Sequence, residues 1–179
     1  MKQNLFGAAV IMLLSSFIVP LNKINIRSVF SYFEYTFAAL STDGTPDINL
    51  EKSSAVYPAQ KNRTATPVLT INGAKSAVRL KKGVFEFLAH HINDGTATLT
   101  SGIGLYKLNA DKKNRSLTLD PAAWVVSSEH VILTFVQKDE QTIKIIVSNG
   151  TLSTGEYAFV EGDKVAANTN LTVWCFGID

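Results

Sequence analysis

Gly155-Glu156-Tyr157-Ala158-Phe159 and Trp174-Cys175-Phe176-Gly177-Ile178-Asp179 are the stretches that decide the fold class. Each is a short run rich in aromatic residues, the composition of a β-strand rather than a helix. Aromatic residues this close to the last position put the final strand in the core instead of at a frayed end. Side-chain alternation in the first run turns Tyr157 and Phe159 inward and Glu156 and Ala158 outward. Gly155 supplies the backbone freedom of a turn. Glu156 is then available for a surface contact or for pairing with a basic residue such as Arg115.

Outward from these runs, strand signals recur at regular spacing: Val68 to Ile71, Ala77 to Leu80, Val84 to His91, Ala97 to Leu99, Leu105 to Leu108, Leu117 to Leu119, Val131 to Val136, Ile143 to Val147, Tyr157 to Val160 and Leu171 to Phe176. Turn-forming residues separate them at Asn72-Gly73, Asn93-Asp94-Gly95, Asn109 to Asn114, Lys138 to Gln141, Asn149-Gly150 and Glu161-Gly162-Asp163. No stretch past residue 41 keeps an apolar stripe at helical spacing, although Pro121 to Trp124 has room for one helical turn. The pattern predicts an all-β domain, an antiparallel β-sandwich with a β-barrel as the alternative. Alternation also assigns faces. Phe85, Phe87, Ala89 and His91 lie on one side of their strand and Glu86, Leu88 and His90 on the other, while Ile143, Ile145 and Val147 form an inward row opposite Lys144. Phe85, Phe87, Tyr157, Phe159, Trp174 and Phe176 are expected to share one core.

The amino end differs. Leu5 to Leu21 is a nearly unbroken apolar run of 17 residues behind Lys2, the character of an export signal or a membrane-anchoring helix. Ala38, Ala39 and Ser41 supply small residues for processing, and the aromatic stretch Val29 to Phe37 suits a membrane interface. The expected organisation is residues 1–40 as signal or anchor, 41–66 as a Pro- and Ser-containing lead-in, and 67–179 as the antiparallel β domain, an exported protein of the cell envelope.

Charge excludes one class of partner. Residues 1–40 hold three of the 17 basic and one of the 15 acidic residues, which leaves 14 of each from Ser41 onward. A neutral domain lacks the basic excess of a general nucleic-acid binder. Two basic clusters remain, Lys75, Arg79, Lys81 and Lys82, and Lys107, Lys112, Lys113 and Arg115. They read as separate, solvated turns and edge-strand guards, with an anionic polymer as the sharper alternative.

The histidines are the first candidates for chemistry. His90 and His91 are adjacent on a strand and so point to opposite faces, which keeps two imidazoles off one metal. His91 with His130 and a carboxylate is the one arrangement of these residues that would suit a hydrolase. Gly150 to Gly155 misses the nucleophile-elbow spacing, and Gly102 with Gly104 lacks the third glycine of a dinucleotide fingerprint. Cys175, the sole cysteine, sits between Trp174 and Phe176 as a small buried hydrophobe. No metal or cofactor motif is present.

The order of Ile71-Asn72-Gly73-Ala74-Lys75-Ser76-Ala77-Val78-Arg79-Leu80, Phe85-Glu86-Phe87, Leu105-Tyr106-Lys107-Leu108, Arg115, Gly155-Glu156-Tyr157-Ala158-Phe159 and Phe176-Gly177-Ile178-Asp179 resembles a group of uncharacterised bacterial exported proteins. The resemblance covers Val68 to Asp179 and implies a small all-β domain with no catalytic residues to carry over. The sequence thus predicts a non-enzymatic, envelope-exposed β domain that binds a protein or glycan. Membrane contact would run through residues 5–21 where these are retained. A structural subunit of a surface or secretion assembly is the second expectation and the hydrolase the third. The binding candidates are Lys107, Lys112, Lys113, Arg115, His91 and Glu156.

Overall fold

The computed structural model describes residues 35–40, 47–56, 66–83, 86–91, 103–120, 126–148, 152–161 and 170–179. The chain divides into two units, Met1–Tyr32 and Phe33–Asp179, and every described residue belongs to the second. The amino-terminal hydrophobic helix, Phe85, the strand Ala97 to Leu99, the Pro121 to Trp124 turn and the Asn93, Asn149 and Gly162 turns lie outside the described residues.

Among the described residues there is no helix. In chain order the strands are β1 (Tyr35–Ala39), β2 (Ile48–Asn49), β3 (Glu51–Val56), β4 (Val68–Asn72), β5 (Arg79–Leu80), β6 (Glu86–His91), β7 (Ile103–Ala110), β8 (Asn114–Thr118), β9 (His130–Val131), β10 (Leu133–Gln137), β11 (Thr142–Val147), β12 (Gly155–Glu161) and β13 (Asn170–Ile178). They make two sheets, one in the order β10-β11-β6-β1-β2 and the other β12-β13-β3-β4-β8-β7-β9. In the second, β12 also pairs with β7, Phe159 opposite Leu105 and Tyr157 opposite Lys107. That pairing closes β12-β13-β3-β4-β8-β7 into a six-stranded barrel, which leaves those strands no free edge. The pairings are antiparallel except for β5, which lies parallel to the end of β13.

The antiparallel all-β architecture matches the sequence expectation, and both of its variants are realised: a closed barrel forms one layer and the five-stranded sheet packs over it. Alternation explains how. In β12, Ala158 and Val160 point into the barrel, where they meet Ala55, Leu69, Ile71, Tyr106, Leu108, Leu117, Val173 and Cys175. Tyr157 and Phe159 point the other way, into a second core with Phe37, Phe87, Ile143, Ile145, Trp174 and Phe176. Phe159 stacks on Phe37 at 4.7 Å between ring centroids and meets Phe87 edge-on at 5.0 Å. Five of the six expected core aromatics do share this interlayer core, and the inward row of β11 is as expected, with Lys144 on the far face paired to Glu86 at 2.7 Å.

Two expectations need correction. Glu156 and Ala158 do not face solvent: β12 is a wall between two cores, so both of its faces are buried. The stretches read as leader and lead-in also contribute to the fold. β1 lies between β6 and β2 with Tyr35, Phe37 and Ala39 in the interlayer core, and β3 is a barrel strand. A chain processed at Ser41 would lack β1.

Candidate functional site

The polar side chains that the sequence singles out converge at one end of the barrel. Arg115 lies two residues before Leu117 on β8 and so points inward with it; Glu156 precedes Ala158 on β12, and Glu51 precedes Ser53 and Ala55 on β3. Arg115 is 1% exposed and Glu156 6%. The segment from Gly73 to Val78 crosses over these three side chains and is bonded to all of them. Arg115 Nε donates to Gly73 O at 3.0 Å, and Nη2 to Asn72 O at 3.2 Å and to Glu51 Oε1 at 2.8 Å. Ser76 Oγ and Ala77 N each donate to Glu51 Oε2 at 2.6 Å, while Ser76 N donates to Glu156 Oε2 at 2.8 Å. Arg79 then bridges Glu156 to Asp179, with Nη2 at 2.6 Å and Nε at 3.1 Å from Asp179 Oδ1.

This is one continuous ladder, Arg115–Glu51–Ser76–Glu156–Arg79–Asp179. Two features make room for it. Gly73 has φ +89°, open to glycine and strained for other residues. At Gly177 an added Cβ would overlap the Arg79 guanidinium and stand 2.7 Å from Glu156 Oε1. The electrostatics follow from the bonding. Burial pushes the Glu51 carboxyl up, but the donors Ser76, Arg115, Ser53 and Ala77 outweigh it and hold the group at about 2. A carboxylate held there keeps its charge at neutral pH. The hydrogen bond to Asp179 raises the Arg79 guanidinium further, and the same contact lowers Asp179. The ladder acts as a clasp that fastens the Gly73–Val78 segment over the barrel end.

The basic clusters are therefore not simply separate and solvated. Lys75, Lys81, Lys82, Lys112 and Lys113 are exposed, as expected, but each cluster sends one arginine into the same ladder. The partner of Glu156 is Arg79, whereas Arg115 pairs with Glu51. Lys107 reaches Ser153 Oγ at 2.8 Å on the outside of β7. Lys112 and Lys113 sit in the β7–β8 turn, where Asp111 Oδ1 accepts from the backbone N–H of Lys113 and Asn114 and is lowered by those bonds. Glu51 and Ser76 escaped sequence reading: a carboxylate in a polar lead-in carries no signal until its strand closes the barrel.

The histidines are dispersed. His90 is exposed with Nδ1 3.1 Å from Thr142 Oγ1. His91, on the opposite face, is buried in the interlayer region against Tyr35 at 5.2 Å. His130 lies on β9 in the other sheet, 5.2 Å from the Tyr106 ring. Beyond Phe159 on β12, burial pushes Glu161 up to about 7; burial and the nearby Glu161 charge push the Tyr35 phenol up to about 12. Cys175 is fully buried and its thiol is pushed up to about 12, which suits an inert packing residue. Among the described residues no group of three or more His, Cys, Asp or Glu is placed to hold a metal ion.

A different kind of site lies at the rim of the five-stranded sheet. Leu133–Gln137 (β10) is its last strand, paired with β11 on one side only among the described strands. Ile132 is 59% exposed and Val136 42%, two of the large apolar side chains that the domain leaves in solvent. The run Val131 to Val136 signals a strand but carries no mark of an edge, because order within a sheet is a long-range property. Compared with known proteins, the chain matches no family model, no curated protein and no solved structure.

Proposed function

We propose that this chain is a non-enzymatic β domain of the cell envelope that works by binding a protein, with the apolar run Leu5 to Leu21 directing export. One observation carries the reading: among the described strands β10 pairs on one side only, and it lies beside the exposed side chains of Ile132 and Val136, the combination by which sheets accept a further strand. The charged side chains favour it indirectly. Arg115, Glu51, Glu156 and Arg79 neutralise one another in the clasp, so they present little to a glycan or polyanion. The resemblance to bacterial exported proteins points to the same compartment. A hydrolase built on His91 and His130 draws less support, since the two rings pack against different aromatics in different sheets.

The test is photo-cross-linking of the full chain in the cells that make it, with a photoreactive residue at Val136 or, as control, at Lys112. Envelope fractions are expected to carry discrete protein adducts from position 136 and none from 112. Recovery of the chain only in the cytosol, or equal adducts from both positions, would contradict the proposal.

A further inference from the structure

We propose that the strap from Gly73 to Gly83 is an intramolecular pseudo-ligand: it fills a groove at the clasp end of the barrel that fits a basic, extended segment of a partner protein, and it swings out on two glycine hinges to admit one. The inference goes beyond the β10 reading, and either can fail without the other.

The groove comes from a mismatch in strand length. β3 starts at Glu51, opposite Cys175, whereas β13 runs on to Ile178. Past Cys175 the pairing on that side of β13 passes to β5, with Gly177 opposite Arg79 and Ile178 opposite Leu80. Gly177 N donates to Val78 O at 2.9 Å and Asp179 N to Leu80 O at 3.5 Å. The strap is thus a short strand added to an exposed stretch of ladder. Sheets accept extended peptides in the same way, with backbone bonds giving affinity and flanking side chains giving selectivity. Its pairing is parallel and two residues long, and parallel ladders hold slightly less per residue than antiparallel ones.

The hold on the strap is mostly polar. Ser76 and Ala77 bond to Glu51 and Glu156, and Arg79 bonds to Glu156 and Asp179. Leu80 is its one fully buried apolar side chain. At each end the backbone enters the left-handed region at a glycine, Gly73 with φ +89° and Gly83 with φ +108°. A Cβ added at Gly83 would meet nothing within 4 Å, so packing does not fix that hinge.

Electrostatics select the partner. Without the strap, the described side chains at this end are the carboxylates Glu51, Glu156 and Asp179 and the single guanidinium of Arg115. Arg79 and, at longer range, Lys75 supply the compensating charge, and both lower Asp179. An incoming segment must do the same. It needs a cation at the place of Arg79, an apolar residue at that of Leu80 and a small hydroxyl side chain at that of Ser76, between Glu51 and Glu156. Because the closed strap fills the groove, the apparent affinity for such a segment is reduced by the fraction of molecules that are open.

The experiment has two arms, both on the full chain in detergent solution. In hydrogen exchange of the unmutated protein, the amides of Ser76, Ala77 and Gly177 are expected to exchange through one shared opening, faster than amides of the β12–β7 ladder. The second arm titrates a fluorescent peptide of residues Gly73 to Lys82 against a scrambled peptide of the same composition. Ser76→Ala with Arg79→Ala loosens the strap and leaves the groove intact. This double variant is expected to bind the native-order peptide at least about tenfold more tightly than the unmutated chain does. Adding Glu156→Gln is expected to remove most of that gain, because it takes away the partner of the peptide's arginine. Strap amides that exchange only together with the β12–β7 ladder would mean that the strap opens only by global unfolding, which overturns the proposal. A folded double variant that binds the two peptides equally overturns it as well. The exchange arm uses the unmutated chain and so does not depend on any variant folding.

Discussion

Glu51 and Glu161 are both partly buried carboxylates, and their surroundings move them in opposite directions. Glu51, held at about 2 by its donors, sits below the value of about 4.3 that a glutamate has in an unfolded chain. Its contribution to stability is therefore present above the unfolded value and is lost as pH falls toward about 2. Glu161, raised by burial to about 7, binds its proton more tightly when folded, so its contribution is present at low pH and is lost as pH rises through about 7. Thermal melts should separate the two. Glu51→Gln is expected to lower Tm at neutral pH, with the gap to the unmutated protein narrowing in acid. Glu161→Gln is expected to match the unmutated protein in mild acid and to melt higher at about pH 8; a lower Tm there would show that the Glu161 charge is stabilised, against the account. Arg115 offers a third test at this scale. Removing one member of a buried pair strands the other, so Arg115→Ala should cost about 3–5 kcal/mol in urea unfolding. Adding Glu51→Gln should recover part of that loss, and a plain additive loss would mean that the two side chains are not coupled.

Elements were legible in the sequence wherever one face was apolar and the other polar. β6 and β11 follow that alternation residue by residue: Phe87, Ala89 and His91 are buried, as are Ile143, Ile145 and Val147. β12 and β13 were found as strands but misassigned at Glu156 and Ala158, because a strand buried on both faces does not alternate, and Ala158 gives no clue to its side. β3 was read as lead-in for a related reason. Of Glu51-Lys52-Ser53-Ser54-Ala55-Val56 only Ala55 packs in the barrel, while Glu51 serves the clasp. β1 was hidden by its neighbourhood, since aromatic residues after a long apolar run look like a membrane interface until Phe37 is seen against Phe159 and Trp174, each at 4.7 Å. The clasp itself was out of reach of sequence, because it joins Glu51, Ser76, Arg115 and Glu156 across four separate segments. The role of β1 gives a direct expectation. A chain starting at Ser41 loses the strand between β6 and β2 and should fail to give a cooperative transition or unfold at much lower urea, whereas one starting before Phe33 should match the full chain. Equal midpoints for the two would remove β1 from the core.

At the scale of the whole domain, the barrel interior and the interlayer core are two apolar volumes on either side of one wall. β12, β13 and β7 supply both, with Val173 and Cys175 turned into the barrel and Trp174 and Phe176 turned out to the sheet. Two cores that share a wall should fold as one unit, since loss of either strips a face from the same strands. Urea unfolding followed by tryptophan fluorescence tests this most directly, because Trp174 lies in the wall. Phe37→Ala, in the interlayer core, and Leu117→Ala, inside the barrel, should each shift one common transition by about 2–5 kcal/mol, the range for large-to-small core changes. A Phe37→Ala protein with an unchanged midpoint, or two separate transitions affected by one variant each, would contradict the account of a barrel and a sheet folded about a shared wall.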